Sequence, residues 1–177
     1  PIEENRIFMF LDMNSSTTIA EKLGHVRYFE LLREYYKDLS DPIIQCSGQL
    51  YQYVGDEVIL SWKVKKNKAN PECIECFLLM QKKLESKSEK YLKKYGVCPS
   101  FKAGIHLGHV TSGEIGAMKK EIVYTGDVLN SAARIISLCG EHQVDILISS
   151  DMKCEIGDQT KFQFISMGKN ELRGKNE

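Results

Sequence analysis

Residues 51–62, Tyr51-Gln52-Tyr53-Val54-Gly55-Asp56-Glu57-Val58-Ile59-Leu60-Ser61-Trp62, join two runs of strand-forming residues through a Gly-Asp pair. Such a pair marks a tight hairpin, because glycine takes the positive φ that the turn requires. Asp56 therefore stands where a strand begins, at the end of a sheet. A lone Gly-Asp usually serves only its turn, but a second carboxylate lies upstream. Asp12 closes Ile7-Phe8-Met9-Phe10-Leu11, a continuous apolar run of the kind that forms a strand buried on both faces. Behind it, Asn14-Ser15-Ser16-Thr17-Thr18 is a polar cluster suited to cap a helix starting near Ile19. Strand, capped turn, helix and hairpin fit a split βαβ arrangement in which the strand after the hairpin runs antiparallel to the first. Asp12 and Asp56 are then neighbours. Two carboxylates beside the amides of a helix N-terminus suit Mg²⁺ with a polyphosphate, the oxygens taking the metal and the amides the phosphate.

With 177 residues and 42% hydrophobic content, the chain is long enough for one well-buried core and reads as a single domain over 1–177. Lys plus Arg (24) balance Asp plus Glu (24), so no global charge calls for a nucleic acid or an anionic membrane, and any anion site is local. Cysteines at 46, 73, 76, 98, 139 and 154 without a signal peptide point to a reducing cytosol. The longest apolar run falls far short of the roughly 18 residues a membrane span requires. The start at Pro1 and the polar end at Gly174-Lys175-Asn176-Glu177 suggest a domain excised from a larger parent, cytoplasmic even where that parent is membrane-anchored.

Along the chain, the periodicity of Ile19, Leu23, Val26, Phe29, Leu31 and Leu32 predicts a helix over 16–39, ended by Asp41-Pro42. Strands are expected at about 43–54 and 57–64, followed by a basic loop over 63–68 that reads as a solubilising connection. Asn70-Pro71-Glu72 opens a second helix, 71–95. Its Cys73-x-x-Cys76 lacks a second ligand pair, and the two thiols are read as core packing beside Phe77 and Met80. His106-x-x-His109 lies in a strand-like run, 101–110, where residues three apart face opposite sides and share no metal. Beyond Lys119-Lys120, residues 121–134 read as strand, turn and helix, with Asn130 and Arg134 one turn apart on one helix face. Segments 145–149 and 161–167 read as closing strands around a short helix.

Phe10-Leu11-Asp12 with its polar turn, Tyr53-Val54-Gly55-Asp56-Glu57, Gly104-Ile105-His106-x-Gly108 and Thr125-Gly126-Asp127-x-x-Asn130-x-x-x-Arg134 resemble, in order and spacing, the class III adenylyl/guanylyl cyclase catalytic domain. The resemblance implies an α+β, ferredoxin-like βαββαβ sheet with helices on one side and extra C-terminal strands. It also implies a homodimer with active sites at the interface and two divalent cations, Mg²⁺ or Mn²⁺, per site. By resemblance, Asp12 and Asp56 match the metal-binding aspartates and Met13 the residue whose carbonyl helps hold a metal. Asn130 matches the ribose-orienting asparagine and Arg134 the arginine on the α-phosphate. Ser15, Ser16 and Thr17 form the phosphate turn, where Gly-Phe is commoner than Ser15-Ser16, and Arg173 falls near the residue that binds the terminal phosphates. Gln52 and Val123 stand where adenylyl cyclases usually carry a lysine and an aspartate or threonine that read adenine, so the base is open.

The expected activity is conversion of ATP to cyclic AMP and pyrophosphate, on family frequency. The alternatives are a cyclase for GTP or a pyrimidine triphosphate, and a non-catalytic cyclase-like regulatory domain. A metal-dependent polymerase-like module fits poorly, because the balanced chain offers no basic track for nucleic acid.

Overall fold

The computed structural model describes residues 1–157 and 162–169. The run around Ile7–Leu11 becomes the middle of strand β1 (Ile2–Met13), and Ser16–Leu23 and His25–Gln45 form helices α1 and α2. The hairpin follows as β2 (Gln49–Val54) and β3 (Glu57–Lys63), then α3 (Glu72–Ser86), α4 (Ser88–Tyr95) and the long strand β4 (Phe101–Ile115). The chain continues through β5 (Glu121–Thr125), α5 (Asp127–Ser137), α6 (Cys139–His142), β6 (Ile146–Ile148) and α7 (Ser150–Ile156). The strands lie in the order β2-β3-β1-β4-β5, with β6 pairing parallel to β4. The first four strands make the expected βαββαβ sheet, and β5 and β6 extend it.

β1 is central because both of its faces are apolar. Ile7, Met9, Leu11 and Met13 pack on one face with Leu31, Tyr35 and Leu39 of α2 and Phe77 and Met80 of α3. Phe8 and Phe10 alternate to the other face, where Ile59, Val110 and the inner side of α5 (Val128, Ala132, Ile136) form a second core. Thus α1–α4 cover one side of the βαββαβ unit, and the added α5 covers the opposite face. Farther along that face, buried Arg6 donates through Nε to Ser61 Oγ (2.7 Å), and its guanidinium lies 5.1 Å from the Tyr124 ring centroid. The Tyr51 and Tyr124 rings meet edge-on at 5.0 Å, and the Tyr124 N–H donates to the Tyr51 hydroxyl (3.2 Å). β2 and β5, at opposite ends of the strand order, therefore touch across a strongly curled sheet.

Several boundaries differ from the sequence expectation. The helix expected over 16–39 is two helices, broken at Gly24, whose φ of 79° no helix accommodates. Asp41-Pro42 does not end α2, which runs through Pro42 to Gln45. Pro42 lies in the last turn, where its ring forfeits a single backbone bond; it is buried, and Trp62 Nε1 donates to the terminal Cys46 carbonyl (2.9 Å). β2 accordingly starts at Gln49 rather than near residue 43. The second helix is likewise divided, at Lys87. Cys73 and Cys76 are buried free thiols in the core, as read. β4 extends five residues past the expected end at Val110, because β5 pairs with its distal half. His106 contacts Ser149 (Nδ1 to Oγ, 2.7 Å), whereas His109 is exposed 3.9 Å from Glu3. Residues 162–167 carry no strand, and Lys161 lies outside the described residues. Among the described residues no helix is long and apolar enough to cross a membrane.

Candidate active-site cleft

Asp12 is the penultimate residue of β1, paired in register with Glu57 of β3 on one side and Lys102 of β4 on the other. Asp56 occupies the two-residue turn whose flanks, Val54 and Glu57, are paired. Gly55 adopts the expected positive φ, 62°. Asp12, Met13, Ser15, Ser16, Thr17, Asp56, Glu57 and Lys102 line one open cleft of about 450 Å³. The antiparallel β1·β3 pairing thus brings together the two aspartates that the sequence separates by 43 intervening residues.

The turn after β1 differs from expectation in one useful respect. α1 begins at Ser16, the start of the helix expected over 16–39, but Ser15 precedes it in a left-handed conformation (φ 55°) with no side-chain cap hydrogen bond. The first-turn amides therefore keep their positive dipole end available to an anion at the cleft. Asn14 fixes the turn instead, its main-chain N–H donating to the Ser100 carbonyl (2.8 Å) and its Nδ2 to Ser100 Oγ (3.0 Å).

The electrostatics favour a cation. Burial, a hydrogen bond with Asp12 and the charges of Asp12 and Asp56 push the Glu57 carboxyl up to about 7, so the cleft holds more negative potential than its one lysine relieves. The donor set consists of carboxylates, hydroxyls and main-chain carbonyls, the oxygen ligands of a hard divalent ion. Among the described residues no three His, Cys, Asp or Glu side chains converge to hold a metal alone. Beneath the cleft, the Tyr35 hydroxyl is buried without a hydrogen-bond partner among the described residues, within the electrostatic reach of Asp56 and Asp12. A bound ion with its waters fits such a neighbourhood.

Asn130 and Arg134 lie elsewhere. α5 turns Val128, Ala132 and Ile136 to the sheet, leaving Asn130 exposed and Arg134 half-buried; neither lines the cleft. Gln52 is exposed on β2 and Val123 half-buried on β5, each one residue from the Tyr51–Tyr124 contact. Arg173 lies outside the described residues. Glu57 and Lys102 were missed in the sequence. Glu57 was legible as the carboxylate beside Asp56, and Lys102 as the residue two before Gly104, but only strand register points them at Asp12.

The chain matches, over residues 3–177, the family model described as the adenylate and guanylate cyclase catalytic domain. It is 30% identical over 177 residues to adenylate cyclase 2 of Rhizobium meliloti (strain 1021), covering 100% of this chain and 49% of that protein, so it spans about half the relative's length. A bacterial light-regulated adenylyl cyclase structure is similar at a TM-score of 0.86 and 22% identity, over 98% of this chain and 50% of the other. The adenylyl cyclase CyaB from P. aeruginosa is similar at 0.84 and 20%, over 99% and 91%.

Proposed function

The chain belongs to the adenylate and guanylate cyclase catalytic domain family, and on that premise we propose that it converts a nucleoside triphosphate, ATP foremost, into the 3′,5′-cyclic monophosphate and pyrophosphate. Convergence of Asp12, Asp56, the Ser15–Thr17 turn and Lys102 on one cleft carries this reading. Asp12, Asp56 and the Met13 carbonyl hold two Mg²⁺ or Mn²⁺ ions, which when bound supply charge neutralisation for the triphosphate and acidity for the ribose 3′-hydroxyl. The turn amides and the Lys102 ammonium bind phosphate oxygens. The 3′-oxygen forms a bond to the α-phosphorus, the bond from phosphorus to the pyrophosphate oxygen breaks, and the hydroxyl proton leaves to solvent. Arg134 stabilises charge on the α-phosphate as this happens, Asn130 orients the ribose, and Arg173 meets the terminal phosphates.

We assign Asn130 and Arg134 of the partner subunit to each cleft, making the unit a homodimer with two composite sites. The separation of α5's outer side from the cleft of its own chain supports this assignment. Residues 1–177 are read as one cytoplasmic catalytic domain of a larger signalling protein. ATP is favoured by the name of the R. meliloti relative, and Gln52 and Val123 meet the base. Incubating the domain separately with ATP, GTP, CTP and UTP plus Mn²⁺, with products identified by mass, tests the reading. Cyclic AMP as the main product is expected; a folded dimer that cyclises none of the four is a regulatory domain instead.

A further inference from the structure

Two tyrosines on one side of α2 reach the two loops that build the cleft. Tyr28 lies close enough to Asp56 and Ser16 for both to bear on its phenol, and the Tyr36 hydroxyl donates to the Gly55 carbonyl in the hairpin turn (2.5 Å). They are eight residues apart, about two turns and about 12 Å along the helix axis. The Tyr36 ring packs on Tyr53 of β2 with centroids 4.4 Å apart and planes at 38°, so its hydroxyl is aimed by a second contact. Burial, reinforced by the Asp56 charge, raises the Tyr36 phenol well above its ordinary value, which keeps it protonated as the donor.

The acceptor matters because the Gly55 carbonyl and the Asp56 N–H belong to one rigid peptide plane. Glycine at positive φ lets a two-residue turn adopt more than one orientation of that plane. We propose that Tyr36 is a positioning residue: by holding the Gly55 carbonyl, it selects the peptide orientation from which Asp56 presents its carboxylate to the cleft. α2 thereby holds the carboxylate turn through Tyr36. This inference rests on the reading above that Asp56 holds a divalent cation.

Mn²⁺ binding to the protein without nucleotide, measured from the paramagnetic resonance signal of free Mn²⁺, tests it independently of turnover. Tyr36→Phe keeps the ring on Tyr53 and removes only the donor, and is expected to weaken Mn²⁺ binding about tenfold, the size of one lost hydrogen bond. Raising Mn²⁺ should restore most of its turnover, with KM for nucleotide at saturating metal within about twofold of the wild-type value. Tyr53→Leu, which keeps the hydroxyl and removes the stack, should weaken binding less. Mn²⁺ affinity in Tyr36→Phe equal to wild type overturns the inference, as does a loss that follows only the folded fraction in a melting curve. Asp56→Asn separates the two levels: if it too leaves Mn²⁺ affinity unchanged, the metal assignment itself falls and the positioning role with it.

Discussion

Gly104→Ala probes the joint between the sheet and the helix that carries Asn130 and Arg134. Gly104 lies in β4, paired with Phe10 on one side and Leu147 on the other. A Cβ there would stand 2.5 Å from the Ile136 nitrogen and 2.8 Å from its Cα and Cβ, where 3.4–4 Å is ordinary contact. The nearest atoms are helix backbone and cannot swing aside, so α5 must retreat by about 1 Å, an overpacking strain of about 2–3 kcal/mol. For a chain of this size the melting temperature should fall by about 5–10 °C. Because misplacing catalytic groups by about 1 Å can cost about 100-fold in rate, turnover per folded molecule should fall by up to that factor. Gly140→Ala is the control, since a Cβ there meets nothing within 4 Å; it should melt with the wild type. Circular-dichroism melts and initial rates at saturating ATP and Mn²⁺ give both numbers. A Gly104→Ala protein that melts like wild type refutes the packing argument. One that melts low yet turns over normally shows that α5 placement does not matter to catalysis.

Asp12→Ala and Asp56→Ala should each abolish turnover without unfolding the domain, and the double variant should be little worse than either, as groups acting as a unit are non-additive; melting and rate measurements on all three check this. Base selection should be loose, because the Gln52 amide presents either donor or acceptor and Val123 offers no side-chain hydrogen bond. A Gln52→Lys, Val123→Asp variant should shift product ratios toward cyclic AMP in four-nucleotide competition, and strict selectivity in the unmodified protein would count against the idea. The hydrogen bond from Lys94 to Glu34 (2.7 Å) lowers the Glu34 pKa. The stability it lends is therefore complete above the ordinary carboxylate pKa and is lost as pH falls through the lowered folded value. Lys94→Met should flatten that acid limb in a plot of melting temperature against pH, leaving the neutral range nearly parallel to wild type.

What could be read from the sequence was local. The Gly55-Asp56 hairpin and the Ile7–Leu11 run each declare themselves within a few residues, and together they dictate the antiparallel pairing that brings Asp12 beside Asp56. Glu57 and Lys102 enter the cleft through register across three strands, which no short window contains. Gly24 breaks an otherwise periodic helix through its own positive φ, a local freedom that the apolar periodicity masked, whereas Pro42 is tolerated in a last turn because its burial outweighs the local preference. The grip of Tyr36 on the hairpin turn was illegible because only the packed structure shows which carbonyl its hydroxyl meets.

Mixing two inactive variants tests the central claim most directly. Asp56→Ala removes a residue of the carboxylate cleft and Arg134→Ala one from α5, so each homodimer should fail to make cyclic nucleotide. Random reassortment of equal amounts puts half of the chains into mixed dimers, each with one intact composite site, and should restore roughly a quarter of the wild-type rate. No recovery from variants shown to co-assemble would contradict the shared site, and full activity in Asp56→Ala alone would contradict the cleft assignment itself.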